Sequence, residues 1–193
     1  MNNTKKFRIV NKTENKIITD SLFRISTQII SVLNNSDNEF FILFNKLSLN
    51  SKFPSIFLVS NNLIEIINRF DSELSINSMG VYFGFIKKNQ FLLSLEGAEF
   101  LNKLNAFPEK HHIVVNNEGE KSILYGNHII TKFLHNTPKL LEKNAFVLIL
   151  NESNELISIG YSQVDFDLIC KLKPKDIIVK NLKDKGYYLR KEQ

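Results

Sequence analysis

The four histidines of this chain are its first candidates for metal binding or proton transfer. His111 and His112 are adjacent on a predicted strand, so their side chains should point to opposite faces and cannot chelate one ion together. His128 and His135 have no cysteine or carboxylate at a ligand spacing. Cys170 is the only cysteine, which excludes an intrachain disulfide and a thiolate cluster. The sequence therefore predicts no metal site, packed or polar histidines, and a buried thiol.

The common short catalytic motifs are missing. The chain has no Gly-x-Ser-x-Gly elbow, no Walker phosphate loop and no dinucleotide-binding glycine fingerprint. Asp165 and Asp167 would share one face of a strand, but no positioned base or basic clamp accompanies them, and an acidic surface turn is the favoured interpretation. We therefore expect no enzymatic activity and no cofactor.

Positive charge is concentrated at the C-terminal end of the chain. The residues from Lys171 to Gln193 include eight basic and three acidic side chains, a surplus of five that equals the formal net charge of the whole protein. A basic segment on an otherwise balanced chain is typical of a protein with a polyphosphate partner. A solvated lysine-rich face is an equally good interpretation from charge alone.

Gly126 and Asn127 interrupt an apolar stretch. Lys121–Tyr125 is predicted as a short strand, after which Gly126 either adopts φ > 0 or lets another backbone approach closely. Asn127 is a plausible N-cap for a short helix in the apolar run that follows. A strand-to-helix corner without any ligand is the favoured interpretation from spacing alone.

Longer stretches resemble a known family. The stretches that carry the resemblance are Phe83-Gly84-Phe85, Lys88 to Phe91, Ser122 to Ile130, Gly160, Lys171, Pro174, Ile177-Ile178-Val179, Asp184-Lys185-Gly186 and Tyr188-Leu189-Arg190. From about Met79 to the end, the chain resembles the Nip-seven family of large-subunit ribosome-biogenesis factors.

The resemblance implies a C-terminal PUA domain, an RNA-binding pseudo-barrel that is also attached to pseudouridine synthases and archaeosine transglycosylases. In such a domain a glycine corner and a neighbouring strand form the groove that holds RNA, and lysines and arginines meet the phosphates. The RNA-binding residues implied here are Gly126, Asn127, His128, Lys132, Lys171, Lys173, Lys175 and Arg190. Family members tend to carry glycines and basic residues just after the corner, where this chain has Thr131, Phe133, His135 and Asn136, and basic residues after Gly160, where it has Val164, Asp165 and Asp167. Some of the family's phosphate contacts are therefore expected either at Lys171, Lys173 and Lys175 or not at all.

Hydrophobic periodicity in the first 107 residues predicts strands interspersed with helices. Strands are expected at 7–10, 39–44, 47–49, 55–60, 81–86 and 90–94, and helices from Thr19 or Asp20 to Leu33, from Asn61 or Asn62 to Phe70, and from Glu96 to Leu104. The hairpin around Lys87-Lys88-Asn89 favours antiparallel pairing and an α+β unit. Pro108 interrupts the last helix, so we predict an N-terminal α+β domain over 1–107 and a PUA domain over 108–193.

The second half is predicted as a small β-barrel. Six strands are expected, at 111–115, 121–125, 145–150, 156–161, 177–180 and 187–190. Hairpin turns are expected at 116–120, 151–154 and 183–186, with Gly119 and Gly186 serving φ > 0 positions.

The function expected from these observations is non-enzymatic RNA binding in large ribosomal subunit biogenesis and pre-rRNA processing. The partners expected are single-stranded or structured rRNA and ribosome-assembly proteins. A protein-only interaction module of the same fold and an accessory domain of an RNA-modifying system are the alternatives. No apolar run approaches the ~20 residues that cross a bilayer, so we expect an intracellular protein. The divergence from eukaryotic-looking family members favours an archaeal, cytoplasmic protein, and we expect a monomer.

Overall fold

The computed structural model describes residues 6–44, 53–70, 76, 78–136 and 140–191. The chain divides into two compact units, Met1–Ala106 and Phe107–Gln193, and each unit has its own sheet. Among the described residues, no helix is both long enough and apolar enough to cross a membrane.

The first unit contains a five-stranded antiparallel sheet in which the strands follow one another in chain order. Its elements are β1 (Lys6–Ile9), α1 (Lys12–Ile25), α2 (Thr27–Asn34), β2 (Asn38–Phe44), β3 (Ser55–Ser60), α3 (Asn61–Phe70), β4 (Val81–Lys87), β5 (Gln90–Leu93) and α4 (Leu95–Lys103). The α+β class is confirmed. The strand predicted at 47–49 lies outside the described part of the chain.

The single helix predicted from Thr19 or Asp20 to Leu33 is wrong, because the segment forms two helices. Asn11 begins α1 with a capping box, in which its side chain accepts from the backbone N–H of Glu14 and the Glu14 carboxylate accepts from the backbone N–H of Asn11. Ser26, with φ −161° and ψ 134°, ends α1 and caps α2 through its hydroxyl. Leu22 of α1 and Ile29 of α2 are both fully buried, so each of the two helices contributes to the core.

Both faces of this sheet are covered. Alternation along the strands places Phe41, Leu43, Phe57 and Val59 on one face, where Leu63 and Ile64 of α3 pack against them. The opposite face carries other buried residues of the same strands, and there α4 packs on β4 and α1 packs on β5. The sheet is therefore a central layer between helices.

The second unit contains a six-stranded sheet in the order β7-β11-β10-β9-β6-β8. Its elements are β6 (His112–Val115), α5 (Asn117–Leu124), β7 (Ile129–Ile130), β8 (Leu134–Asn136), β9 (Phe146–Leu150), β10 (Leu156–Ser162), α6 (Phe166–Ile169), β11 (Ile177–Asp184) and α7 (Gly186–Lys191), with 3-10 turns at Glu109–His111 and Thr131–Phe133. The two edge strands are consecutive along the chain, so the sheet curls into a nearly closed barrel. The predicted barrel class and four of its six predicted strands are confirmed.

The strand predicted at 121–125 is wrong, since these residues lie in and just after helix α5. The side chain of Asn116, predicted to start a hairpin turn, caps that helix by accepting from the backbone N–H of Gly119 at 2.9 Å. Gly119 does not have a positive φ. It lies against Phe133, whose Cβ would be 2.7 Å from a side chain added at Gly119, so close packing explains the glycine.

The strand predicted at 187–190 is also wrong, because these residues belong to α7. Asp184 ends β11, and Gly186 begins the helix without a positive φ. A Cβ at Gly186 would stand 1.9 Å from the carbonyl oxygen of Leu124. Gly186 therefore allows α7 to pack on the end of α5.

The division predicted near Pro108 is tested by limited proteolysis. Leu104 and Asn105 are exposed, and Pro108 follows them in extended conformation. Trypsin and a glutamate-specific protease should first cut after Lys103, Glu109 or Lys110 and leave two stable fragments, identified by mass spectrometry. A stable fragment that ends inside the β4–β5 hairpin would contradict this boundary.

Candidate RNA interface

The glycine corner lies at the end of a helix and not at the end of a strand. Gly126 has φ +91°, and its N–H donates to the carbonyl of Ile123 at 2.7 Å while the N–H of Asn127 donates to the carbonyl of Ser122 at 3.2 Å. This pair of bonds is the Schellman motif, which favours glycine at its left-handed position. The positive φ expected of Gly126 is confirmed. The N-cap role expected of Asn127 is wrong, because strand β7 follows it.

Arg190 fixes this corner from the side of α7. Its guanidinium makes a two-bonded ion pair with Asp184, at 2.9 Å and 3.0 Å, and also donates to the carbonyl oxygen of Leu124. Asp184 is 3% exposed. A Cβ at Gly126 would lie 3.1 Å from Nη2 of Arg190. The arginine predicted to meet phosphate is therefore engaged within the fold, and its role in RNA binding stays a prediction.

A second set of polar contacts joins the corner to β11. The side chain of Asn181 donates to the carbonyl of Asn127 at 3.1 Å and accepts from the hydroxyl of Ser158 at 2.8 Å. Ser158 is fully buried on β10. The corner is thus attached to the barrel wall through one side chain of β11.

His128 and Lys132 follow the corner along the chain. His128 is half-buried, and its Nδ1 is buried without a hydrogen-bond partner among the described residues. Lys132 forms an ion pair with Glu118, and its Nζ lies 5.1 Å from the centre of the Phe133 ring. Lys132 is therefore partly neutralised, although both members of its ion pair are exposed and water screens the pair.

The predicted basic loop, Lys171 to Lys175, is held next to Lys132 by the backbone. The N–H of Thr131 donates to the carbonyl of Asp176, and the N–H of Lys132 donates to the carbonyl of Pro174, both at 3.0 Å. All three lysines of the loop, Lys171, Lys173 and Lys175, are exposed. The structure gives none of them an ion-pair partner within the described residues.

Strands β7 and β11 connect the corner with this loop. Ile130 pairs with Ile177 and Ile129 with Val179, so the loop lies at one end of the ladder and the Asn127–Asn181 contact at the other. The four residue steps from Ile177 to Asn181 span about 13 Å at 3.3 Å per residue. The β7–β11 ladder thus connects the glycine corner at one end with the basic loop at the other.

The sequence reasoning missed two exposed residues at this surface. Tyr125, the last residue of the strand predicted at 121–125, is 78% exposed at the C-terminus of α5. Lys180 is exposed on β11 between the loop and the corner, and it has no ion pair among the described residues. If residues 117–124 are assigned to a helix, Tyr125 falls outside the helix face that carries the buried residues Gly119 and Ile123.

The other candidates for chemistry are histidines and one cysteine that differ in exposure. His111 is 4% exposed, its Nδ1 lies 2.6 Å from the carbonyl of Phe146, and burial lowers its pKa. His135 faces Glu152 at 3.3 Å on the surface. Cys170 is exposed, so the prediction of a buried thiol is wrong. In the described ranges no three His, Cys, Asp or Glu side chains are grouped as metal ligands.

Two family models match the chain, one on each unit. Residues 7–95 match the NIP7/UPF0113 pre-PUA domain, and residues 111–193 match the UPF0113 PUA domain. A UPF0113 protein of Archaeoglobus fulgidus is 30% identical over 114 residues, which are 59% of this chain and 62% of that protein's length. The match thus spans less than two thirds of that relative.

Solved structures with the same fold cover nearly the whole chain. A hypothetical protein of Pyrococcus horikoshii has a TM-score of 0.61 at 14% identity, and the match covers 95% of this chain and 99% of that one. A conserved PUA domain protein of Thermoplasma acidophilum has a TM-score of 0.60 at 12% identity, covering 97% and 99%. A PUA domain of Aeropyrum pernix gives 0.54 at 13% identity, covering 95% and 88%.

At these identities the structural likeness shows the fold alone. The family follows from the two sequence models, which match consecutive parts of the chain and are both models of UPF0113 domains. The resemblance inferred from the sequence is therefore confirmed, and this chain belongs to the NIP7/UPF0113 family, with a pre-PUA domain followed by a PUA domain.

Proposed function

We propose that this protein is a non-enzymatic RNA-binding factor that acts in large ribosomal subunit biogenesis and pre-rRNA processing. Its PUA unit binds single-stranded or structured rRNA, and its pre-PUA unit docks ribosome-assembly proteins. We place it as a monomer in the cytoplasm of an archaeon, which agrees with its relatives from Archaeoglobus, Pyrococcus and Thermoplasma.

The observation that carries this proposal is a set of exposed lysines in the loop before β11 and on β11 itself. Lys171, Lys173, Lys175 and Lys180 project from the loop and the strand without an ion-pair partner among the described residues. Cations that lack a protein partner are available to phosphates, whereas Lys132 must share Glu118. At the other end of the ladder, the exposed ring of Tyr125 offers a surface on which a base can stack.

The residue types at this interface should discriminate little between RNA sequences. A lysine ammonium meets a phosphate as a point charge and does not read the edge of a base. A stacked aromatic ring accepts every base, because each base has a π face. The proposed function is therefore general binding of unpaired RNA, with the choice of rRNA segment left to partner proteins or RNA shape.

The best alternative is a protein-only interaction module with the same fold. It is favoured by the ion pairs of Arg190 with Asp184 and of Lys132 with Glu118, which give two of the eight predicted RNA-binding residues a partner within the protein. RNA-binding measurements on lysine and Tyr125 variants separate the two functions, because a protein-only module would bind RNA neither strongly nor through the lysines.

The lysine loop is tested by replacing Lys171, Lys173 and Lys175 together with alanine. Each phosphate neutralised on a single strand contributes roughly −0.7 to the slope of log K against log salt, so the slope should become less negative by about 2. Affinity should fall for all single-stranded RNAs alike, as measured by fluorescence anisotropy at several salt concentrations.

A matched control removes three positive charges from the pre-PUA unit, at the exposed residues Lys16, Arg24 and Lys103. That variant has the same net charge as the loop variant but should keep the original slope. If both variants behave alike, the effect is one of net charge only. If the loop variant keeps its affinity and slope, the lysines form a solvated face and the protein-only function is the better one.

Tyr125 is tested with a pair of substitutions. Tyr125→Ala removes the stacking ring and should weaken binding of single-stranded RNA by about 1–3 kcal/mol, the usual loss per stacked base. Tyr125→Phe keeps the ring and should bind like the original protein. Both should unfold at nearly the same temperature as the parent, because the side chain is 78% exposed. Equal RNA affinity for the alanine and phenylalanine variants would exclude stacking on this residue.

A further inference from the structure

The pre-PUA unit contains a cavity that the proposed RNA interface does not use. Its volume is about 350 Å³, at the lower end of the range for small-molecule sites. Residues of β1, α1, α2, β2 and β3 line it. The cavity is half open to solvent, is formed by elements of one unit and does not depend on the position of the other unit.

The floor of the cavity is apolar. Ile30 and Leu33 of α2, Phe40 of β2 and Leu58 of β3 line it, and Leu58 is 3% exposed. Phe40 and Leu58 are paired residues on adjacent strands, so they share one face of the sheet. A planar or apolar group that enters the cavity would thus be removed from water on its lower face.

Among the residues that the structure describes, four asparagines line the cavity; Asn11 is the cap of α1, and the other three stand at the rim of this floor. Asn15 lies on the face of α1 that also carries Thr19, Asn34 follows Ile30 by one helical turn on α2, and Asn38 shares its strand face with Phe40. None of the three side chains has a hydrogen-bond partner among the described residues. A carboxamide presents a donor and an acceptor side by side.

The rim also carries one uncompensated positive charge. Glu14, the acidic residue in the first turn of α1, is already bound to Arg8 by two hydrogen bonds of 2.8 Å. Lys12 lines the cavity, is exposed, and has no ion pair with any described residue. Glu39 also lines the cavity, but strand alternation directs its side chain away from the face of Asn38 and Phe40.

We propose that this cavity binds one nucleotide, with the base on the Phe40 and Leu58 floor, the carboxamides of Asn15, Asn34 and Asn38 at its edge, and Lys12 at the phosphate. Asparagine pairs with adjacent donor and acceptor atoms of adenine in the same way in protein–DNA contacts. A peptide could also form hydrogen bonds with the asparagine carboxamides, but a peptide bond is neutral and would leave the ammonium of Lys12 without a counter-charge. The nucleotide is either free or an unpaired nucleotide of an RNA strand.

The test is a titration of the full chain with AMP, followed by the backbone amide signals in ¹H–¹⁵N NMR spectra. Signals of α1, α2 and the start of β2 should shift with millimolar or tighter affinity. Asn15→Ala and Asn38→Ala should each weaken AMP by about tenfold, the effect of one hydrogen bond worth roughly 1.4 kcal/mol. Asn62→Ala, an exposed asparagine on α3 that does not line the cavity, should leave the affinity unchanged.

The phosphate contact is tested on the same helix. Lys12→Ala should weaken AMP but not adenosine, whereas Lys16→Ala, one turn further along α1 and outside the cavity, should change neither. Single-stranded oligoadenylate distinguishes the source of the ligand. Tighter binding of oligoadenylate than of AMP at these amides identifies an RNA nucleotide, and equal or weaker binding identifies a free one.

Two results would overturn the proposal. The first is that AMP shifts no cavity amide, or binds equally well to the Asn15→Ala, Asn38→Ala and Lys12→Ala variants. The second is that the cavity amides respond to N-acetyl-leucine amide but not to AMP, which would make the cavity a peptide site. Either result leaves RNA binding by the PUA unit untouched, because that function is measured through Lys171, Lys173 and Lys175.

Discussion

The ion pair between Asp184 and Arg190 is the contact on which the candidate RNA interface depends. Asp184 is almost fully buried, and a buried carboxylate is stable only when it is paired and hydrogen-bonded. Arg190 supplies two hydrogen bonds to it and reaches the carbonyl of Leu124 at the end of α5. One guanidinium thereby holds together the end of β11, helix α7 and the helix end that leads into Gly126.

This arrangement requires glycine at two positions for two different reasons. Gly126 occupies the left-handed position that ends α5, where a residue with a Cβ is strained. Gly186 has ordinary backbone angles, but there is no room for a side chain against the Leu124 carbonyl. From this fixed corner, β7 and β11 run as a short ladder to the lysine loop. The structure therefore separates residues that shape the interface from those that are exposed to a ligand.

The strands that were predicted correctly are continuous runs of residue types that favour β-structure. Phe146–Leu150 and Ser55–Ser60 are rich in branched and aromatic residues and are buried along most of their length. The hairpin at Lys88 and Asn89 was equally clear, and both turn residues have positive φ. Strands β7 and β8 have only two and three residues, too few for any periodic signal.

The helices that were predicted as strands contain glycines that were taken for turn residues. In α5 the buried pair Gly119 and Ile123 has helical spacing, and Asn116 is a capping residue, so the signals for a helix were present. In α7 the local sequence gives no such guide. Gly186 and Arg190 are fixed by contacts with residues about 60 positions earlier, at Leu124, and no local pattern reveals these. The error at α5 also hid the exposure of Tyr125.

Asp184 and Arg190 hold the corner in place, whereas Tyr125 and the loop lysines are exposed, so RNA is expected to contact the exposed residues. Ultraviolet crosslinking in the native cell, with sequencing of the bound RNA and mass spectrometry of the crosslinked peptides, tests it most directly. We expect crosslinks to large-subunit rRNA precursors at peptides that contain Tyr125 or Lys171–Lys175. The absence of any crosslinked peptide from Phe107–Gln193 would contradict RNA binding by the PUA unit.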